Sequence, residues 1–105
     1  MTRPIQINIS VQKGEISCSP SGGNLRARQL NELQWDCDEE FSLSFALLDG
    51  SNTPAWPFQR PQASPRSKHF AGTLKSIPPG EPAPAYKYTV TIGSQQLDPI
   101  IIVDK

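Results

Sequence analysis

Ile5, Ile7, Ile9 and Val11 alternate with Gln6, Asn8 and Ser10, the period-two pattern of a strand with one face on a core. Lys13-Gly14 follows as a turn, and Ile16 and Cys18 then share one face of a second strand over 15–19, so the opening predicts a hairpin. Pro20-Ser21-Gly22-Gly23-Asn24 breaks it. Residues 25–33 suit a short helix as well as an edge strand and are read as a strand. Leu33, Trp35 and Cys37 alternate, and beyond the acidic turn Asp38-Glu39-Glu40 so do Phe41, Leu43, Phe45 and Leu47. These runs predict two separate core strands.

Asp49-Gly50-Ser51-Asn52 ends that region, and eight of the eleven prolines fall between Pro54 and Pro84. Proline has no ladder donor, which argues against central strands there; His69 to Leu74 is the piece that suits an edge strand. Regular alternation returns in Tyr86, Tyr88, Val90 and Ile92, with a turn at Gly93 to Gln96. The closing run Ile100-Ile101-Ile102-Val103 is continuously apolar, as in a strand buried on both faces or covered by a neighbour. About seven short strands, no convincing amphipathic helix and Gly/Pro-rich turns predict an all-β antiparallel sandwich. At 105 residues the chain is expected to be a single domain, 1–105, with a Pro-rich loop at 49–68 and a second Pro-rich stretch at 78–84.

Charge removes several functions from consideration. Ten Lys and Arg balance ten Asp and Glu, so no long-range field draws the chain to nucleic acid or to an anionic membrane. Residues 1–10 lack the apolar core of a signal peptide, and no apolar run reaches the length of a spanning helix. As written, the chain is expected in the cytoplasm. Cys18 and Cys37 are read either as two small buried apolar residues or, in a secreted domain, as one inter-strand bridge.

The order Leu33-Gln34-Trp35, then Phe41-Ser42-Leu43-Ser44-Phe45, then Tyr86-Lys87-Tyr88-Thr89-Val90 with a closing strand resembles the cupredoxin-like fold. The closing pattern from Tyr86 to Val103 is also similar to that of short bacterial proteins of this type. The resemblance implies a two-sheet sandwich; it does not bring a copper site. Blue-copper members hold the metal with a Cys thiolate, two imidazoles and usually a Met. From Leu74 to Lys105 there is no Cys, His or Met, and Val90 stands where the resemblance would put the Cys. No cofactor is expected. The competing fold is immunoglobulin-like, although Cys37 follows Trp35 too closely for that family's Cys…Trp…Cys pattern.

Candidate chemistry is sparse. His69 near Ser64 and Ser67 suggests a nucleophile and base, but a lone loop His beside Arg66 and Lys68 reads as a solvated surface residue, and the chain is expected not to be an enzyme. Asp36, Asp38, Glu39 and Glu40 suit a hard cation by charge, yet read as a solvated turn. Gly22-Gly23-Asn24 lacks the helix and Lys of a phosphate loop. The segment 49–68 differs in kind: Trp56 and Phe58, with Arg60, Arg66 and Lys68, place aromatic anchors and cations on a stiffened loop, the residue types that dominate interface hot spots. Two readings stand for it: contact with a protein or peptide partner, or aromatics folding back to plug the sandwich. Pro78 to Pro84 reads as a rigid connector. The sequence therefore predicts a protein- or peptide-binding or accessory module, with a structural alternative in which an edge strand such as 5–11 pairs with another copy.

Overall fold

The computed structural model describes residues 4–19, 21–51, 53–59 and 67–105. Eight strands run in the order β1 (Ile5–Gln12), β2 (Glu15–Ser19), β3 (Leu25–Arg28), β4 (Glu32–Leu47), β5 (Ser67–Thr73), β6 (Ala85–Ile92), β7 (Gln95–Leu97) and β8 (Ile100–Asp104). Among the described residues the helical structure is one short 3-10 turn at Ser21–Gly23. They contain no helix long and apolar enough to cross a membrane.

The hairpin between β1 and β2 closes on Lys13 and Gly14, both at positive φ (53° and 79°). That pair of dihedrals matches the right-handed twist of the flanking strands, so a two-residue loop suffices. The first sheet holds β2, β1, the first half of β4, and β5; the second holds the last half of β4 with β6, β7, β8 and β3. Two neighbours are parallel, β1 with β4 and β3 with β8. The sandwich is therefore mixed, not antiparallel throughout as the alternation suggested. Hydrophobic alternation sets which face is buried and is silent on strand direction. The parallel pairs also depart from the immunoglobulin-like alternative, whose two sheets are antiparallel.

The two strands expected at 33–37 and 41–47 are one. β4 runs sixteen residues, bends at a register shift between Asp36 and Phe41, and crosses from the first sheet to the second. A strand that switches sheets in this way forms a sandwich corner. The acidic residues Asp38, Glu39 and Glu40 sit exposed at the bend, where the ladder is interrupted and charge stays in water. Leu33 and Trp35 before it, and Phe41 and Phe45 after it, are all buried.

Two further expectations change. The run 5–11 is not an edge: β1 lies between β2 and β4. The closing run is covered on one face only; Ile101 is fully buried while Ile102 is 37 % exposed.

Candidate functional site

Residues 53–59 of the Pro-rich region after β4 run along one lateral side of the sandwich. The Leu47 N–H donates to the Thr53 carbonyl (2.9 Å) and the Ala55 N–H to the Phe45 carbonyl (3.1 Å), so residues 53–55 cover the outer edge of β4 in the second sheet. Four residues on, the Gln59 N–H donates to the Thr73 carbonyl (2.8 Å) and the Lys75 N–H to the Pro57 carbonyl (3.0 Å), which places 57–59 against β5 in the first sheet. Prolines 54 and 57 are tolerated because an edge cover needs only some of its donors. The segment thus bridges the two sheets as a wall.

Its aromatic residues divide. Phe58 is fully buried, with its ring 6.0 Å from Trp35, 5.2 Å from Phe45 and 5.4 Å from Phe70, aromatics contributed by both sheets. It offers no surface to a partner and is the plug. Gly72 on β5 makes room for it, since a Cβ there would lie 2.7 Å from the Phe58 ring. Trp56 is half-buried at the rim and packs edge-on against Phe45 (5.5 Å), Phe58 (5.3 Å) and Phe70 (5.8 Å). Lys68, on β5, is exposed. Arg60 and Arg66 lie outside the described residues, as does Ser64. The structure therefore brings Trp56 and β5 together on one wall and takes Phe58 out of it.

His69 is on a strand, not in a loop, and it has a partner. Its Nδ1 lies 2.6 Å from Asp36 Oδ1, and Gln6 Nε2 donates to Asp36 Oδ2 at 2.7 Å. The β4–β5 register sets His69 directly opposite Asp36, and Gln6, two residues before Asp36's β1 neighbour Asn8, reaches the carboxylate diagonally on the same face of the first sheet. Asp36 was legible only as part of the acidic cluster; its pairing with a residue 33 positions away needs the β4–β5 register. The Ser67 hydroxyl donates to the backbone carbonyl of His69 (2.5 Å) and not to its ring. Among the described residues no nucleophile is aimed at this pair, whose two members are both about half exposed.

The hydrogen bond with His69, then that from Gln6, holds the Asp36 carboxyl below the ordinary carboxylate range. A depressed carboxyl contributes stability above its unfolded-state value and loses it as pH falls through the folded one. Asp36→Asn is therefore expected to lower the melting midpoint slightly at pH 7, by tenths of a kcal/mol for so exposed a pair (~0.2–1). The difference from wild type is expected to shrink as pH falls through the folded-state carboxyl value. Parallel melts across that fall in pH check it.

The cysteines are free thiols. Cys18 and Cys37 both align with Ile9, from opposite neighbouring strands, which sets them two strand spacings apart, about 10 Å. That exceeds the roughly 7 Å Cα limit for a disulfide, so the inter-strand bridge is excluded by register. Burial pushes the Cys18 thiol up to about 11, leaving it an apolar core residue. Cys37 is half-buried and accepts from the Glu39 N–H at 3.4 Å. Among the described residues no group of three or more His, Cys, Asp or Glu could hold a metal ion.

At the other Pro-rich stretch the Glu81 N–H closes a turn on the Pro78 carbonyl (3.1 Å), and the Val103 N–H donates to the Pro84 carbonyl (3.1 Å). It turns and docks on β8, a connector that bends.

No family model and no curated protein matches the chain. Among solved structures it is similar to a mutant of amicyanin in the reduced Cu(I) form at pH 4, with 14 % identity, 94 % of this chain and 82 % of that chain covered, and a TM-score of 0.48. The strand order set out above is that of a mixed two-sheet sandwich with one strand common to both sheets.

Proposed function

We propose that the chain is a non-enzymatic protein- or peptide-binding module that meets its partner on the wall formed by residues 53–59 and β5. The observation that supports this reading is the placement of Trp56. Its neighbours Pro57 and Phe58 are buried, whereas Trp56 stays at the rim, its ring held by Phe45, Phe58 and Phe70. A rigid, half-exposed aromatic loses little conformational entropy on contact. Two residues before Phe70 on the same strand, β5 supplies the exposed Lys68, whose ammonium suits a partner with a carboxylate near an apolar side chain.

Two variants test the reading by different routes. Proteins retained from host extract by the immobilised chain are identified, purified and titrated against wild type, Lys68→Glu and Trp56→Ala. Lys68 is exposed, so its reversal leaves the melting midpoint unchanged and is expected to weaken binding about tenfold, the size of one desolvated charge contact. Trp56→Ala is expected to weaken it further. Binding unchanged in a folded Trp56→Ala chain would remove the wall from consideration.

A further inference from the structure

We propose that the outer edge of β2 pairs antiparallel with the same strand of a second copy of the chain, joining two sheets into one. This surface lies apart from the wall carrying Trp56 and stands independently of it. The hairpin geometry supplies the bonding groups. With a two-residue loop, Gln12 and Glu15 close the hairpin as a hydrogen-bonded pair, and the pattern alternates from there. Ser17 and Ser19 therefore bond toward β1, while the N–H and C=O groups of Ile16 and Cys18 point outward. Among the described residues no strand pairs with β2 on that side.

The edges of β4, β5 and β3 carry devices that discourage pairing. The edge of β4 is covered by residues 53–55, and part of β5 by 57–59. The rest of β5 bears Lys68, and β3 bears the exposed Arg26 and Arg28, with Arg26 ion-paired to Asp104 at 2.7 Å. Cover and exposed cations are the usual protection of strand edges. The strand Glu15-Ile16-Ser17-Cys18-Ser19 has no Lys, Arg or Pro within it.

Its sequence is complementary to itself about Ser17. A two-fold axis there sets Ile16 opposite Cys18 of the second copy, twice, giving four backbone hydrogen bonds from the four outward groups. The buried side chains of Ile16 and Cys18 then continue the apolar inner face across the junction. On the outer face Glu15 meets Ser19 of the second copy and Ser17 meets itself, so no like charges oppose. Net charge is zero, which removes long-range repulsion between copies.

Mass measured against concentration, with two exposed-site variants, tests the pairing. Wild type is expected to rise from 11.6 kDa toward twice that value over the micromolar to millimolar range. Ser17→Lys sets two ammonium groups opposite each other; it is expected to stay at one chain with an unchanged melt when dilute, and to recover dimer at high salt. In a Cys37→Ser background, Ser17→Cys is expected to form a linked dimer under mild oxidation, and Ser10→Cys, one strand inward on the same face, to form none. A wild type that stays at one chain throughout overturns the proposal, whether the edge is then found free or takes the strand of a different protein. A dimer that Ser17→Lys leaves intact, or that Ser17→Cys fails to link, overturns it equally.

Discussion

Replacing Phe58 by Ala is expected to destabilise the domain by about 3–5 kcal/mol, the range for a fully buried Phe. For a chain of this size the melting midpoint falls by roughly 15–30 °C. The magnitude follows from position. Phe58 is fully buried and meets rings from both sheets, Trp35 and Phe70 on one side and Phe45 on the other, at 5.2–6.0 Å. Truncation leaves a void between sheets that a backbone tied to Thr73 and Leu74 cannot collapse to fill. Gly72→Ala approaches the same contact from the opposite side, since its Cβ would press on the Phe58 ring at 2.7 Å. Thermal and urea melts of both variants read the effect. A Phe58→Ala chain within about 1 kcal/mol of wild type would mean that residues 53–59 are a detachable surface loop, contrary to the wall described above.

The second large effect is expected at Gly23. Its φ is +90°, a region that side chains rarely adopt, and an added Cβ would lie 2.8 Å from the Tyr88 hydroxyl, 2.9 Å from Pro99 and 3.0 Å from Cys18. Each neighbour is itself fixed. Tyr88 is fully buried and donates its hydroxyl to the Gly23 carbonyl, Pro99 accepts from the Tyr88 N–H (2.9 Å), and Cys18 is in the core. Gly23→Ala therefore combines about 1–2 kcal/mol of backbone strain with overpacking of about 1–3 kcal/mol and loss of the tyrosine hydrogen bond. The variant is expected to lose some 3–5 kcal/mol or to fail to accumulate folded. Gly14→Ala, which shares a positive φ but has nothing within 4 Å of its Cβ, separates the two contributions by bearing the strain alone.

These positions show what the sequence made legible. Ile7, Ile9, Trp35, Phe41, Phe45, Tyr88 and Val90 announce themselves as core because period-two alternation is a local property, and all are buried. The hairpin at Lys13-Gly14 is equally local. Strand direction is not: the parallel pairings of β1 with β4 and β3 with β8 join residues about 30 and 75 positions apart, and alternation is identical for either direction. Asp38-Glu39-Glu40 is polar enough to suggest a turn, whereas a bulge interrupts bonding only locally and lets the strand continue. At the candidate site the residue types of 49–68 flagged an unusual segment. Whether an aromatic in it faces inward depends on partners such as Gly72, whose small size means nothing until Phe58 is seen against it. Asp36 and His69 were each visible and their pairing was not, for the same reason of register.

One strand shared by both sheets also bears on how the molecule comes apart. In a sandwich of two separate sheets, either layer can loosen while the other persists, and the layers are coupled by side-chain packing alone. Here the backbone of β4 carries ladder bonds to β1 and β5 over its first half and to β6 over its second. Dissolving the ladder of one sheet frees half of the strand that the other sheet also uses. The amides of both layers are thereby placed in one cooperative opening unit, so protection from solvent exchange falls off toward the hairpin turns and termini and not from one sheet to the next.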